Sequence, residues 1–350
     1  MSIFYAGSYT QEDTPAIDPA GKGIACLKLN KRSGKIELLH YTKQRNPSYL
    51  AVSRDKGYLY ALEEMYKNLE PRIFSYAIGE NGKLRVINSQ PLEGDYACHL
   101  AIIRDRLVIA NYMSGDVLSF IIREDGSLAP AHQKIQHSGQ GPNKERQEAA
   151  HAHMIYPYKR NSMYVLDLGL DKAKAYDLDP KSKEWIARPQ RDLEIDPGAG
   201  ARHMVMDHGQ EYAYLLSELS GEIFVIHCQK EGHSIIQKIS FVPGSFAGPF
   251  GGAAIRLHPG GRFLYASLRG SDTIAVFEID AYSKRLSLIT YQSTRGETPR
   301  DFNIDPGGSW LIAANQDSNS LVVFEVNPEN GKLKYRSAMP LETPVNICWL

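Results

Sequence analysis

Apolar and polar residues alternate along most of this chain in short runs, and the runs come in groups of four. One such group covers residues 300–304, 310–314, 320–326 and 332–337. A period of two is typical of half-buried antiparallel strands. Turn sequences such as Asp305-Pro-Gly-Gly and Asn330-Gly-Lys separate the runs, and no stretch has the pattern of a three-turn amphipathic helix. The pattern therefore predicts an all-β protein built of four-stranded modules.

The first strand of each module begins with a similar apolar segment, which recurs seven times at intervals of 45 to 54 residues. These segments begin at Ser48, Cys98, Ala152, Arg202, Ala253, Arg300 and Val345. Repeats of this length are typical of β-propeller blades. The N-terminal module lacks a first strand, which residues 344–350 would supply beside residues 3–9. We therefore predict a seven-bladed β-propeller with four antiparallel strands per blade, a single domain over residues 1–350, closed by its C-terminal strand.

The repeat also predicts which side chains meet near the axis. In an antiparallel blade the start of the first strand lies beside the end of the second, so both open onto one face. Three arginines, Arg202, Arg269 and Arg300, would gather on that face. Glu64, Glu218 and several histidines would lie with them. Arginine binds carboxylate or phosphate through paired hydrogen bonds, so this cluster predicts a small anionic ligand.

The overall charge points away from larger anionic partners. Forty Lys and Arg residues balance 40 Asp and Glu residues. No global field therefore favours nucleic acid or an anionic membrane surface. No apolar stretch is long enough to cross a bilayer, and the N-terminus lacks the pattern of a signal peptide. Four widely spaced cysteines, without a C-x-x-C motif, indicate free thiols in a reducing compartment, so we expect a cytoplasmic protein.

One polar connection, residues 131–150, is longer than those leading into most other blades and runs into His151-Ala-His153. Long polar loops on a rigid scaffold are frequent carriers of function, so we predict a flap over the axial mouth. The two histidines stand two apart and would face the same side of a strand. They could serve as general base, contact substrate, or make structural hydrogen bonds. No further ligand has suitable spacing, so we expect no metal, and no glycine loop indicates an organic cofactor.

The remaining candidates each allow a structural alternative. Arg202 and Glu218 could form an ion pair within one blade, whereas Arg269 has no evident partner in its own blade and is expected to await a ligand. Arg300 could instead pair with a neighbouring carboxylate. Asn315, Gln316 and Tyr112 could recognise a substrate or could only hold blades together.

Specific segments distributed along the chain carry a family resemblance. They are Gly141-Pro-Asn-Lys-Glu-Arg-Gln-Glu, His151-Ala-His, Asp167-Leu-Gly-Leu-Asp, Gly198-Ala-Gly-Ala-Arg-His, Ser217-Glu-Leu-Ser, Arg269-Gly-Ser-Asp and Asn315-Gln-Asp-Ser. Together they resemble the seven-bladed lactonase family, which contains bacterial 6-phosphogluconolactonases and fungal 3-carboxy-cis,cis-muconate lactonising enzymes. The resemblance implies a catalytic set of His151 or His153 with Arg202, Glu218 and Arg269.

These observations predict a hydrolase of sugar lactones, with 6-phosphoglucono-1,5-lactone as the leading substrate. Glu218 or one of the two histidines would be the general base, and Arg202 and Arg269 would hold the phosphate and the oxyanion. Tyr112, Arg300, Asn315 and Gln316 would bind the substrate. Two alternatives remain open: cycloisomerisation of a carboxylated muconate, or a non-catalytic propeller that binds an anionic sugar acid or a protein.

Overall fold

The structure is a computed structural model that describes residues 2–230 and 232–350. Its strands are β1 (Ser2–Ser8), β2 (Ile24–Leu29), β3 (Ile36–Thr42), β4 (Leu50–Val52), β5 (Tyr58–Leu62), β6 (Arg72–Ile78), β7 (Leu84–Pro91), β8 (Ala97–Ile103), β9 (Arg106–Asn111), β10 (Asp116–Ile122), β11 (Leu128–Gln136), β12 (Ala152–Tyr158), β13 (Ser162–Asp167), β14 (Lys172–Leu178), β15 (Trp185–Ala187) and β16 (Leu193–Glu194). They continue with β17 (Ala201–Met206), β18 (Tyr212–Ser217), β19 (Glu222–Cys228), β20 (His233–Ser240), β21 (Gly251–Leu257), β22 (Phe263–Arg269), β23 (Thr273–Ile279), β24 (Leu286–Ser293), β25 (Pro299–Ile304), β26 (Trp310–Asn315), β27 (Ser320–Val326), β28 (Leu333–Pro340) and β29 (Pro344–Trp349).

Seven antiparallel sheets result within the described residues. Their strand orders are β29-β1-β2-β3, β4-β5-β6-β7, β8-β9-β10-β11, β12-β13-β14-β15 with β16 added to β14, β17-β18-β19-β20, β21-β22-β23-β24 and β25-β26-β27-β28. Three single-turn 3-10 helices, Lys67–Leu69, Glu80–Gly82 and Pro189–Arg191, lie in connections. None of the helices in the described part of the chain has the length and apolar character needed to cross a membrane. The predicted all-β, seven-bladed propeller is confirmed.

The chain forms two compact units. Unit 1 comprises the residues up to Glu63, Tyr76–Arg85 and Phe241–Leu350, and unit 2 comprises Glu64–Ser75 and Val86–Ser240. Within unit 1, β29 pairs with β1 in antiparallel fashion, so that Cys348 lies opposite Tyr5 and Ile347 opposite Ala6. The C-terminal strand thus supplies the first strand of the N-terminal blade, as the repeat predicts.

Aliphatic and aromatic side chains on the inner strands form the core of each unit. In unit 2, Leu166, Leu215 and Phe224 belong to one such cluster between neighbouring sheets and are fully buried. In unit 1, Phe302 and Phe324 belong to another such cluster and are also fully buried. The alternation of apolar and polar residues is therefore explained by packing of sheet faces against each other. All four cysteines are free thiols.

A recurrent irregularity marks the start of the first strand in the blades. The pairing with the second strand skips Cys98, His153, Arg202, the pair Ala253–Ala254, Arg300 and Val345. A β-bulge leaves its extra residue outside the hydrogen-bonded ladder and turns its side chain to a new direction. Three residues predicted as functional, His153, Arg202 and Arg300, occupy these bulge positions.

Candidate active site

An ion-pair cluster in unit 2 forms the centre of the candidate site. Arg202, at the bulge of β17, donates from Nε to Glu218 Oε2 at 2.8 Å, and Glu218 directly follows β18. Arg146 donates from Nη2 to the other oxygen, Glu218 Oε1, at 2.6 Å. Glu218 is 7% exposed and Arg202 3% exposed, whereas Arg146 is 43% exposed. One buried carboxylate is therefore shared by an inner and an outer guanidinium, and the predicted pairing of Arg202 with Glu218 is confirmed.

Tyr112 joins this cluster to the predicted histidines. Its ring stacks on that of His151, with centroids 4.5 Å apart and planes at 14°, and meets the edge of His153 at 5.6 Å. Its hydroxyl accepts a hydrogen bond from Arg146 at 3.3 Å. Burial raises the pKa of Tyr112, Glu218 adds to the rise, and Arg146 opposes it. Tyr112 therefore stays a neutral phenol at physiological pH.

Both histidines lie against Tyr112, although simple strand alternation is not the reason. His151 precedes β12, and His153 is the bulged residue of that strand. The extra residue breaks the period of two on which the prediction of a shared face depended. The two rings nonetheless meet the same phenol, because the bulge redirects His153.

Hydrogen bonding orients the His151 ring. Its Nδ1 lies 2.9 Å from the carbonyl oxygen of Tyr112, and its Nε2 lies 3.1 Å from Glu148 Oε1. The carbonyl favours a proton on Nδ1 and the Glu148 carboxylate favours one on Nε2, so both ring nitrogens face hydrogen-bond acceptors. Once Nε2 takes up a proton, it can donate to Glu148. His151 thus has the orientation of a general base with a carboxylate beside it.

Two further buried histidines border the cluster. His203 lies edge-on to His153 at 5.2 Å and to His99 at 5.7 Å. Arg202 Nη1 donates to His203 Nε2 at 3.3 Å, and the backbone N–H of Ile155 donates to His99 Nδ1 at 3.3 Å. Each ring therefore accepts a hydrogen bond at one nitrogen.

The flap loop, defined here as residues 137–150, is anchored at both ends. The first six residues of the predicted flap belong to β11 instead, because they continue its pairing with β10. His137 Nδ1 lies 2.6 Å from Asp167 Oδ2, and Asp167 Oδ1 accepts the backbone N–H of His151 at 2.8 Å. One buried carboxylate therefore fixes the start of the flap loop and the residue that follows it.

A second carboxylate anchors the middle of the flap loop. Asp171 Oδ1 accepts from Gln147 Nε2 at 2.7 Å and from the backbone N–H of Gly200 at 2.6 Å. Gln147 Nε2 also donates to the carbonyl of Leu168 at 2.9 Å. Asp171 thus ties the flap loop to the connection that leads into β17. The positions of Arg146 and Arg202 are set by this common support.

Arg269, in unit 1, differs from its sequence-based expectation. It ends β22 and donates to the backbone carbonyls of Gly251 and Gly252 in the same blade, at 3.3 and 3.0 Å. The expectation of an arginine without a partner in its own blade was wrong. The expectation rests on side-chain partners only. The guanidinium instead donates to backbone carbonyl groups at the start of β21.

The other unit 1 candidates also have local contacts. The Arg300 guanidinium lies over the Tyr9 ring at 5.3 Å, while Asp301 accepts from Arg256 Nη2 at 2.7 Å. Asn315 donates to the carbonyl of Thr294 and to Ser320 Oγ. Gln316 donates to Asp317 Oδ1 at 2.8 Å and to the carbonyl of Pro15 at 3.4 Å. Substrate binding by Arg269, Arg300, Asn315 and Gln316 stays a prediction.

Sequence reasoning missed two residues of the flap loop, Arg146 and Glu148. Both were visible within a polar loop, but nothing in the sequence selects Arg146 over Lys144 as the residue that folds back onto Glu218. The position of Arg146 becomes evident only from the structure, in which Gln147 is buried and its neighbours on both sides are exposed. Among the described residues, no three His, Cys, Asp or Glu side chains are placed to hold a metal ion.

The fold and the site define a β-propeller with a preorganised arginine–carboxylate–histidine cluster. Residues 3–349 match the family described as Lactonase, 7-bladed beta-propeller. The 6-phosphogluconolactonase of Bacillus subtilis (strain 168) is 33% identical over 87% of this chain and 85% of the relative. The 6-phosphogluconolactonase of Formosa agariphila is 30% identical over 98% and 96%. The structure of the periplasmic gluconolactonase of Pseudomonas aeruginosa superposes with a TM-score of 0.91 and 28% identity, covering 100% of this chain and 99% of that one.

The chain therefore belongs to the seven-bladed β-propeller lactonase family. Membership places it among enzymes that hydrolyse a cyclic ester, and so among the carboxylic ester hydrolases. The family resemblance seen in the sequence segments is confirmed.

Proposed function

We propose that this protein hydrolyses 6-phosphoglucono-1,5-lactone to 6-phosphogluconate without a metal ion. The observation that carries the proposal is the Arg146–Glu218–Arg202 cluster beside His151, whose ring is oriented by hydrogen bonds at both nitrogens. The names of the Bacillus and Formosa relatives support the phosphorylated lactone as substrate. Hydrolysis of such an ester needs a base for water, a positive group for the developing oxyanion and a site for the phosphate.

His151 is the proposed general base. Glu218 is a poorer candidate than the sequence suggests, because each of its oxygens accepts from a guanidinium. Water would lose its proton to His151 Nε2 and attack the lactone carbonyl carbon. Glu148 is exposed and belongs to the flap loop, so it can give way to that water and then accept a hydrogen bond from the imidazolium. His153 remains the alternative base.

Arg202 is the proposed partner of the oxyanion. A guanidinium that is already held by Glu218 needs no reorganisation when negative charge develops, and its burial strengthens the interaction. Collapse of the tetrahedral intermediate breaks the bond to the ring oxygen, which takes the proton from the His151 imidazolium and becomes the hydroxyl of the open acid. Glu218 then acts by positioning both arginines.

The test is the loss of 6-phosphoglucono-1,5-lactone above the buffer background, with and without a chelator. We expect turnover that the chelator leaves unchanged. His151→Gln should lower kcat by about 10²–10⁴-fold, the usual contribution of a general base. The control is His132→Gln on the exposed part of β11, and it should match the wild type. Wild-type protein that is no faster than buffer would overturn the proposal.

Arg269→Ala separately tests the role predicted for Arg269, since an unchanged kcat/KM would remove it from the substrate site. A muconate assay gives a further check, because cycloisomerisation would appear as loss of the ultraviolet absorbance of the diene, and we expect none.

We also propose a cytoplasmic location, supported by the four free thiols. Cell fractionation tests this, because the Pseudomonas relative is named as periplasmic.

A further inference from the structure

The Arg146 guanidinium is only partly used by the protein. Its Nη2 donates to Glu218 and to the hydroxyl of Tyr112. Within residues 2–230 and 232–350, its Nε and Nη1 donate to no protein acceptor, although a guanidinium carries five N–H donors. The side chain is also 43% exposed, against 7% for Glu218. Arg146 therefore keeps donors available while one end is fixed to the cluster.

Arg146 carries a positive charge that an anionic ligand can contact. Two guanidinium groups share the single Glu218 carboxylate. Glu148, the other nearby carboxylate, lies against His151. Burial lowers the pKa of Arg146, but the charge and hydrogen bond of Glu218 outweigh burial, so the net shift is upward and Arg146 stays charged. A phosphate can accept charge-assisted hydrogen bonds from the N–H groups of Arg146, whereas an uncharged sugar lactone offers no such partner.

The backbone holds Arg146 in place before any ligand binds. Its N–H donates to Asn143 Oδ1 at 3.2 Å in a local turn. Gln147, the next residue, is fully buried and bonded to Asp171. An arginine fixed on both sides, with Glu218 as a side-chain support, loses less conformational freedom when it binds.

We propose that Arg146 is the specificity-determining residue that binds the substrate's phosphate, through the N–H groups that Glu218 and Tyr112 leave unused. The inference rests on the proposed function and extends it. Arg202 acts at the reacting carbonyl, while Arg146 selects the phosphorylated lactone over the same lactone without phosphate.

The experiment compares two substrates and four proteins. Kinetics are measured for 6-phosphoglucono-1,5-lactone and for unphosphorylated glucono-1,5-lactone, using the wild type, Arg146→Gln, Arg146→Lys and Lys144→Gln. Lys144 is exposed on the same flap loop, so its variant removes an equal charge without a phosphate contact. Arg146→Gln should raise KM for the phosphorylated lactone about 10- to 100-fold and should affect the other lactone much less, so that the preference for the phosphorylated substrate is lost. Arg146→Lys should restore part of the loss, and Lys144→Gln should resemble the wild type.

A binding measurement separates this inference from the proposed reaction. Calorimetric titration with 6-phosphogluconate and with gluconate reports the phosphate contact even if hydrolysis is absent. The inference is supported if the wild type prefers 6-phosphogluconate and Arg146→Gln abolishes that preference. It is overturned if Arg146→Gln weakens both ligands or both reactions equally, since Arg146 would then act only through Glu218. Failure of the wild type to bind 6-phosphogluconate would also overturn it, and thermal unfolding confirms that each variant is folded.

Discussion

Gly169 lies so close to the end of the flap loop that no side chain fits there. A Cβ at this position would come within 1.8 Å of the carbonyl oxygen of Ala149. Gly115 approaches from elsewhere in unit 2, and its Cβ would come within 2.3 Å of the Ala150 carbonyl oxygen. These contacts fix the backbone immediately before His151. The position of the proposed base therefore depends on Gly169 and Gly115, which have no side chain to take part in the reaction.

Gly169→Ala should therefore displace residues 149–151 and reduce both stability and turnover. Backbone is the obstacle, so the clash cannot be relieved by rotating a side chain, and we expect a loss of about 1–3 kcal/mol in the free energy of unfolding. Gly209→Ala is the control, because its Cβ meets nothing closer than 3.5 Å. Urea unfolding and lactone kinetics measure the two effects. Equal stability of both variants would show that the flap loop does not need this contact.

At the scale of single residues, the sequence predicted the site residues that lie at strand ends and missed those that lie in loops. Arg202 and Glu218 follow from strand starts and strand ends, and the structure joins them. Arg146 could not be predicted, because a loop's fold depends on contacts such as Gln147 with Asp171. The backbone partners of Arg269 were also invisible, since a carbonyl acceptor leaves no mark on residue type.

The closing strand β29 is held by more than its ladder to β1. Asp301 Oδ2 accepts from Asn346 Nδ2 at 2.9 Å and from the backbone N–H of Ile347 at 3.0 Å, while Oδ1 accepts from Arg256. Asn346 Oδ1 accepts the N–H of Leu50 at 3.1 Å. One buried carboxylate thus connects β25, β21 and β29 within unit 1.

Asp301→Ala should be strongly destabilising, because it leaves the Arg256 guanidinium without its carboxylate in a buried setting. Removal of one partner of a buried ion pair costs about 3–5 kcal/mol. Chemical denaturation measures the loss, with Glu278→Ala as the control, since the pair that Glu278 forms with Arg262 is exposed. A control loss as large as that of Asp301→Ala would contradict the role given to Asp301.

At the scale of elements, the sequence predicted strand order and most strand positions within two residues. Alternation and turn residues are local signals, so they survive in the sequence. The bulges were not predicted, because one skipped residue leaves the apolar pattern of a strand nearly unchanged. They nevertheless decide where His153 and Arg202 lie, so strand alternation alone does not explain how both histidines reach Tyr112.

At the scale of the whole molecule, we propose that residues 1–350 form a single domain, as the repeat predicts. Unit 1 consists of three separate chain segments and unit 2 of two, so neither is a continuous piece that could be released by one cut. We expect one cooperative thermal transition, with equal calorimetric and van't Hoff enthalpies. Two resolved transitions in scanning calorimetry would show that the units unfold separately.

Alkaline titration probes the core as a whole. Burial raises the pKa of many tyrosines above the usual range, and six of these lie in the core: Tyr5, Tyr76, Tyr164, Tyr176, Tyr214 and Tyr265. A raised pKa in the folded state means that the unfolded chain loses these protons first. The free energy of unfolding should fall as pH rises above about 10, by up to about 1.4 kcal/mol per pH unit for each group.

The measurement is absorbance of tyrosinate together with circular dichroism. Ordinary solvent-exposed phenols ionise near pH 10, so part of the tyrosinate signal should rise while the fold persists. The buried ones should ionise only as the β signal is lost. Ionisation of the full set of 20 tyrosines before any loss of that signal would contradict the burial of these six rings.

Six of the seven sheets have a bulge near the start of their first strand, and this bulge separates the pairing of the strand from the choice of one side chain. The paired residues form the same hydrogen-bonded ladder in different blades. The residue that the pairing skips varies, and it is cysteine, histidine, arginine, alanine or valine in different blades. Mutation there can alter chemistry blade by blade without disturbing neighbouring ladders. Natural or engineered substitutions of the bulged residue could therefore change the chemistry of one blade while the strand pairing of the blade is kept.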